Sequence, residues 1–136
     1  MTLKKYCLAI GTYKNSLEIL KNCKKYKIVP ILFIKYSLIN RLSVDWFIEL
    51  KNMLNNEFNN KFMTYVDVKK NYGLFISLIE KKINYIKVDT SDEKTLEKLK
   101  QIAKINKVII NPNFSILDLS KSKNINARIK NLYNKN

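Results

Sequence analysis

The stretch KYCLAIGTYKNSLEILKNCKKYKIVPILFIK, residues 5–35, carries the pattern that decides the fold. Its opening KYCLAIG (5–11) is a near-continuous apolar run, the signature of a strand buried on both faces. NSLEILKNCKKY (15–26) then repeats apolar residues at Leu17, Ile19, Leu20, Cys23 and Tyr26, a helical stripe. IVPILFI (28–34) reads as a second buried strand. Strand, helix and strand joined by short links form a βαβ unit, whose crossover is right-handed and whose strands are parallel. Pro30 cannot donate a ladder hydrogen bond, so the second strand belongs at a sheet edge or starts after the proline.

The alternation continues to the end of the chain. SVDWFIELKNMLNNEF (43–58) has Ser43 as an N-cap, Asp45 in its first turn, and Phe47, Leu50 and Leu54 on one face. KFMTYVDVKKNYG (61–73) opens as a third strand and stops at Asp67. YGLFISLIEKKI (72–83) is a helix on Phe75, Leu78, Ile79 and Ile83, and NYIKVD (84–89) is a fourth strand. TSDEKTLEKLKQIAKI (90–105) carries a capping box from Thr90 to Glu93. KVIIN (107–111) is a fifth strand closed by Pro112. SILDL (115–119) reads as a turn or a short sixth strand, and KSKNINARIKNLYNK (121–135) as a last helix on Ile125, Ile129 and Leu132.

Five strands alternating with five helices predict a single α/β domain over residues 1–136, built on a parallel sheet. At this length the expected form is a three-layer open sheet of flavodoxin-like order 2-1-3-4-5. That order puts the proline-bearing second strand at an edge. A half (β/α)8 barrel is the alternative.

Composition removes several function classes. The chain has no histidine, and so lacks the commonest general base, metal ligand and triad member. Cys7 and Cys23 fall on apolar patterns and read as reduced packing residues, too few for a tetrahedral zinc site. Neither GxxxxGK[ST] nor GxGxxG occurs, and Gly11 and Gly73 are the only glycines. A flavin is therefore unsupported, and no cofactor is implied. Receiver domains of two-component signalling also end the third strand in an acid. They need an acid pair after strand one and a lysine ending strand five, where this chain has Gly11-Thr12 and Ile110-Asn111. Apolar runs are too short to span a bilayer. The apolar stretch near the amino terminus, about five residues, falls short of a signal peptide's core of roughly 7–15. The expectation is an intracellular protein, in cytoplasm or an organelle matrix, without a membrane partner.

The formal charge is +15, from 26 basic and 11 acidic residues. Such a surplus points to a polyanion. A second reading competes with it. The 24 lysines, 18 asparagines and 18 isoleucines all have codons rich in A and T, so a biased genome raises all three. Only Arg41 and Arg128 are arginines, which argues against base-specific readout more than against loose phosphate contact. The distribution helps to separate the readings. Residues 1–30 carry seven lysines against one acid, residues 31–90 nine bases against six acids, and residues 91–136 ten bases against four. The surplus gathers at Lys14, Lys21, Lys24 and Lys25 near the first helix and at Lys121, Lys123, Arg128 and Lys130 near the last. The leading expectation is a non-catalytic component that meets RNA or an acidic partner through those two helices.

The alternative is a small-ligand or enzyme site at the carboxyl ends of the strands, where open α/β sheets bind ligands. Its candidate rim is Gly11, Thr12, Ser37, Asp67, Asp89, Thr90 and Asn111. Asp67 and Asp89 would be the carboxylate pair, with Lys69 and Lys70 beside them as neutralising charges. A third reading is a protein-interaction module with incidental charge, marked by an exposed apolar patch around Trp46 or Phe114.

Overall fold

The computed structural model describes residues 5–135; Lys4, counted in the amino-terminal charge above, lies outside them. Among the described residues the chain forms six strands and five helices. In chain order they are β1 (Cys7–Ala9), α1 (Tyr13–Lys25), β2 (Ile31–Ile34), α2 (Tyr36–Phe58), β3 (Met63–Lys69), α3 (Tyr72–Ile79), β4 (Tyr85–Val88), α4 (Glu93–Ile105), β5 (Ile109–Ile110), β6 (Ile116–Asp118) and α5 (Ile125–Asn134). The α/β class, the parallel sheet and the five flanking helices follow the sequence pattern. No described helix is long and apolar enough to cross a membrane.

The strands are all parallel, in the order β5-β4-β3-β2-β1-β6. The expected order 2-1-3-4-5 is therefore corrected. In that order β3 sits beside β1. Here that edge of β1 is taken by β6, the SILDL segment, with Cys7 opposite Ile116 and Ala9 opposite Asp118. β2 is consequently interior, and Pro30 is tolerated because the strand begins one residue after it. The sequential order departs from the flavodoxin-like one in the direction of the half (β/α)8 barrel given above as the alternative, but the sheet has six strands and β5 and β6 stand at its two ends.

A sequential order with right-handed crossovers sends every helix to the same face. The burial pattern agrees. One cluster joins Ile19 and Leu20 of α1, Phe47 and Leu54 of α2, Phe75 of α3, Leu99 of α4 and Ile129 of α5 to the strand residues Leu8, Leu32, Val66 and Ile86. The alternate strand residues form a second cluster with no helical member: Cys7, Ala9, Ile31, Phe33, Tyr65 and Tyr85, packed with Met63 and Phe114. Phe114 lies in the β5–β6 connection and meets the Tyr65 and Tyr85 rings edge-on at 6.1 and 5.0 Å.

That connection has five residues, 111–115, yet it joins the two outermost strands. Five interstrand gaps in a flat sheet would span ~24 Å, before adding the drop back to the start of β6. Six residue steps reach at most ~22 Å. The sheet must curl, with its helix-free face on the inside. Burial on that inner face pushes the Tyr65 phenol up to about 12, aided by the nearby Cys7 and Asp67. Both thiols are buried and also pushed up to about 12, so neither is a reactive thiolate near neutral pH.

α1 begins at Tyr13 and α5 at Ile125, against expected starts at 15 and 121, and the caps of α2 and α4 also differ from expectation. α2 begins at Tyr36 and is broken at Ser43, whose φ of 85° and ψ of 166° are non-helical. The reading of Ser43 as a helix start caught only the second segment. α4 is capped by Asp92, whose carboxylate accepts the Lys94 N–H, while the Thr90 hydroxyl bonds to the backbone of Asp92. The Thr90–Glu93 box does not form.

Phe114→Ala should destabilise the protein by about 2 kcal/mol, below the cost of a fully buried phenylalanine because this ring is only half-buried. Denaturant melts measure that loss. Hydrogen exchange should rise first in β5 and β6, and uniform acceleration across the sheet would contradict the curled arrangement.

Candidate functional site

The carboxyl ends of β6, β1 and β2 form one side of the rim. Gly11 and Thr12 follow β1, with Thr12 capping α1 by accepting the Asn15 N–H at 3.1 Å. Asn15 in turn accepts the Gly11 N–H and donates to the Leu119 carbonyl, both at 2.8 Å, which ties β1, α1 and β6 together. A Cβ on Gly11 would stand 2.8 Å from the Ser120 carbonyl oxygen, so the close approach of β1 and β6 requires glycine there. Lys35 ends β2 and reaches across β1. Its ammonium donates to the Asp118 carboxylate at 2.5 Å and to the Ser120 hydroxyl at 3.0 Å.

Desolvation works to raise the Asp118 pKa. The hydrogen bonds from Lys35 and Ser120 outweigh it and hold the carboxyl down at about 2. Asp118 is thus an anion across the working range and partly neutralises Lys35.

Beside this pair opens a cavity of about 690 Å³. Thr12, Lys35, Ser37, Arg41, Ser120 and Lys121 supply its polar lining, and Tyr13, Leu38, Leu42 and Trp46 its apolar wall. No carboxylate lines it. Gly11, Thr12 and Ser37 of the expected rim therefore meet. Ser37 does so from the first turn of α2, a segment the sequence pattern left unassigned.

The other four rim residues lie elsewhere. Asp67 is buried on the inner face and accepts the Lys69 N–H at 2.9 Å. No ion pair to Lys69 or Lys70 forms among the described residues, so a backbone donor satisfies this acid instead. Asp89 is exposed on a separate shallow recess with Tyr36, Lys69, Lys70 and Asn71, which Asp67 does not line. Thr90 belongs to the α4 cap. The Asn111 amide bonds both the N–H and the carbonyl of Val88, substituting for a ladder partner where β5 ends. Arg41 and Ser120 were not assigned to any site by sequence reasoning, and Trp46 was named only as the centre of an apolar patch. Arg41 lies in the unassigned first segment of α2, and Ser120 just past the ambiguous SILDL.

A second surface lies on the helix layer. α1 and α5 pack side by side: the Tyr26 and Tyr133 rings are 5.3 Å apart, and the Tyr26 hydroxyl donates to the Asn126 side chain. Lys14, Lys21, Lys24 and Lys25 on α1, Lys121 and Lys123 before α5, and Arg128 and Lys130 on it are all exposed. Glu18 is the sole acid on these two helices. α2 is the reverse, with Asp45, Glu49 and Glu57 against Arg41 and Lys51. Trp46 and Phe114, proposed above as the centre of an apolar patch, are both half-buried. Among the described residues no group of three or more potential ligands could hold a metal ion.

Comparison with protein-family models, with curated proteins and with solved structures found no match to this chain.

Asp118→Asn tests the tether. The lowered carboxyl contributes stability above the unfolded value near 3.9, and that contribution fades as pH falls toward 2. The variant should be less stable at pH 6 by at most ~1 kcal/mol, because the pair is substantially exposed. Urea melts at pH 6 and at pH 2.5 should show the gap between the two proteins closing on acidification. A constant gap would mean that the carboxylate charge plays no part.

Proposed function

We propose that this protein is a non-catalytic RNA-binding component, and that the joined faces of α1 and α5 make the contact. The observation that carries the reading is the segregation of charge on the helix layer. Two adjacent helices carry exposed lysines and one arginine with a single acid, while α2 carries more acids than bases. Codon bias spreads lysine evenly. It gives no reason for acids to be scarce on two neighbouring helices and in excess on a third.

Lysine-dominated contact acts through the phosphates, by release of condensed counterions, and reads little sequence. The tyrosine pair favours RNA over an acidic protein. Tyr133 is half-exposed and backed by Tyr26, whose ring lies 5.5 Å from the Lys25 ammonium, and a nucleobase can stack on it. Cations and an aromatic platform together fit a single strand better than a carboxylate-rich helix, which offers nothing to stack.

The affinity for a single-stranded RNA should fall steeply and log-linearly with salt. Each phosphate contact removed by Lys24→Gln or Lys130→Gln should flatten the slope by about 0.7. Lys94→Gln and Lys100→Gln on α4 should leave it unchanged. Filter binding or fluorescence anisotropy at several salt concentrations reads this directly. Tyr133→Ala should weaken RNA binding more than heparin binding, because heparin has no bases. Equal losses would favour an acidic protein as the partner, and absence of RNA binding at low salt would remove the proposal.

A further inference from the structure

The rim cavity shares Lys121 and the amino-terminal end of α1 with the basic surface, but its chemistry is different. Its lining holds two kinds of side chain. Lys35, Arg41 and Lys121 bring three cations to it, with the Thr12, Ser37 and Ser120 hydroxyls. Lys35 is partly neutralised by Asp118. Arg41 and Lys121 are exposed and form no ion pair among the described residues. The other kind is apolar and includes the Trp46 indole and the Tyr13 ring. A volume of about 690 Å³ lies within the range of small-ligand sites.

Each kind sets a requirement. Two unpaired cations and several hydroxyls, with no carboxylate in the lining, select a compact multiply charged anion and reject a cation or a neutral sugar. Arginine's planar fork matches the oxygens of a phosphate in pairs. The aromatic wall adds what inorganic phosphate cannot use: a flat surface for an apolar or aromatic body. The location agrees, since parallel α/β sheets gather ligands at the carboxyl ends of their strands. We infer that this cavity binds a nucleoside monophosphate, its phosphate between Arg41 and Lys121 and its base against Trp46. The inference does not need the RNA-binding reading: Lys121 belongs to both surfaces, but Lys24, Lys130 and Tyr133, invoked there, do not line the cavity.

Trp46 is the only tryptophan in the chain, so its emission reports this site alone. Excited at the red edge of its absorption, where adenine is transparent, it should change saturably as adenosine monophosphate is added to the full-length protein. Adenosine and inorganic phosphate, each lacking one half of the match, should bind at least about tenfold more weakly, the loss of one charge-assisted or stacking contact. Arg41→Gln and Lys121→Gln should each weaken the nucleotide by about tenfold. Both side chains are exposed, and circular dichroism checks that these variants keep the fold. Lys130→Gln, which impairs the helix face, should leave the titration unchanged. No saturable response, phosphate binding as tightly as the nucleotide, or an unchanged affinity in both cavity variants would each overturn the inference. An equal loss in Lys130→Gln would do the same, by reducing the effect to general charge attraction.

Discussion

A five-residue link governs the architecture. Residues 111–115 must carry the chain from one edge of a six-stranded sheet to the other, and a flat sheet is too wide for them. Curling follows, and with it the division of labour between the two faces. The convex face takes all five helices. The concave face has to fill itself, and it does so with Cys7 and Ala9 beside the larger Phe33, Tyr65 and Tyr85, closed by Phe114 from the link. Alternating small and large side chains suit a curved surface, where space narrows toward the axis.

The same link delivers β6 to β1 and thereby builds the rim. Once Ser120 lies against Gly11, Lys35 can reach Asp118 over the end of β1, and the chain beyond Ser120 brings Lys121 to the cavity. The cation that is tied down sits at the strand end. Those left free sit on the first segment of α2 and on the approach to α5. α1 serves both candidate surfaces, its amino-terminal end at the cavity and its flank beside α5. The break at Ser43 matters for the same reason. It separates the short segment bearing Ser37 and Arg41 from the longer one that packs Phe47, Leu50 and Leu54 into the core.

The sequence made the strands and helices legible because apolar periodicity is a local property. Leu17, Ile19, Leu20 and Cys23 announce α1 wherever it packs. Strand order is not local. The pattern of β1, apolar at every position, shows that both faces are covered but not which strand lies beside it, and SILDL was too short and too mixed to be assigned to that edge. The rim was legible where glycine, threonine and serine follow strands. It was misread at Asp67 and Asp89, because an acid ending a strand looks the same whether it faces a cavity or accepts its own backbone N–H. Arg41 gave no signal of this site, and Trp46 signalled only an apolar patch. Their meeting with Lys121 depends on a contact between residues some eighty positions apart.

The pairing scheme also has a consequence for biosynthesis. From β1 to β5 each new strand docks on the one made just before it, so a chain leaving the ribosome can extend its sheet by one neighbour at a time. Only β6 on β1 and α5 on α1 join distant parts, and these come last. Until they arrive, the aromatic concave face is without Phe114 and the outer edge of β1 is unpaired. The domain is therefore most adhesive before residues 114–134 have been made, because those residues cover the concave face and the outer edge of β1.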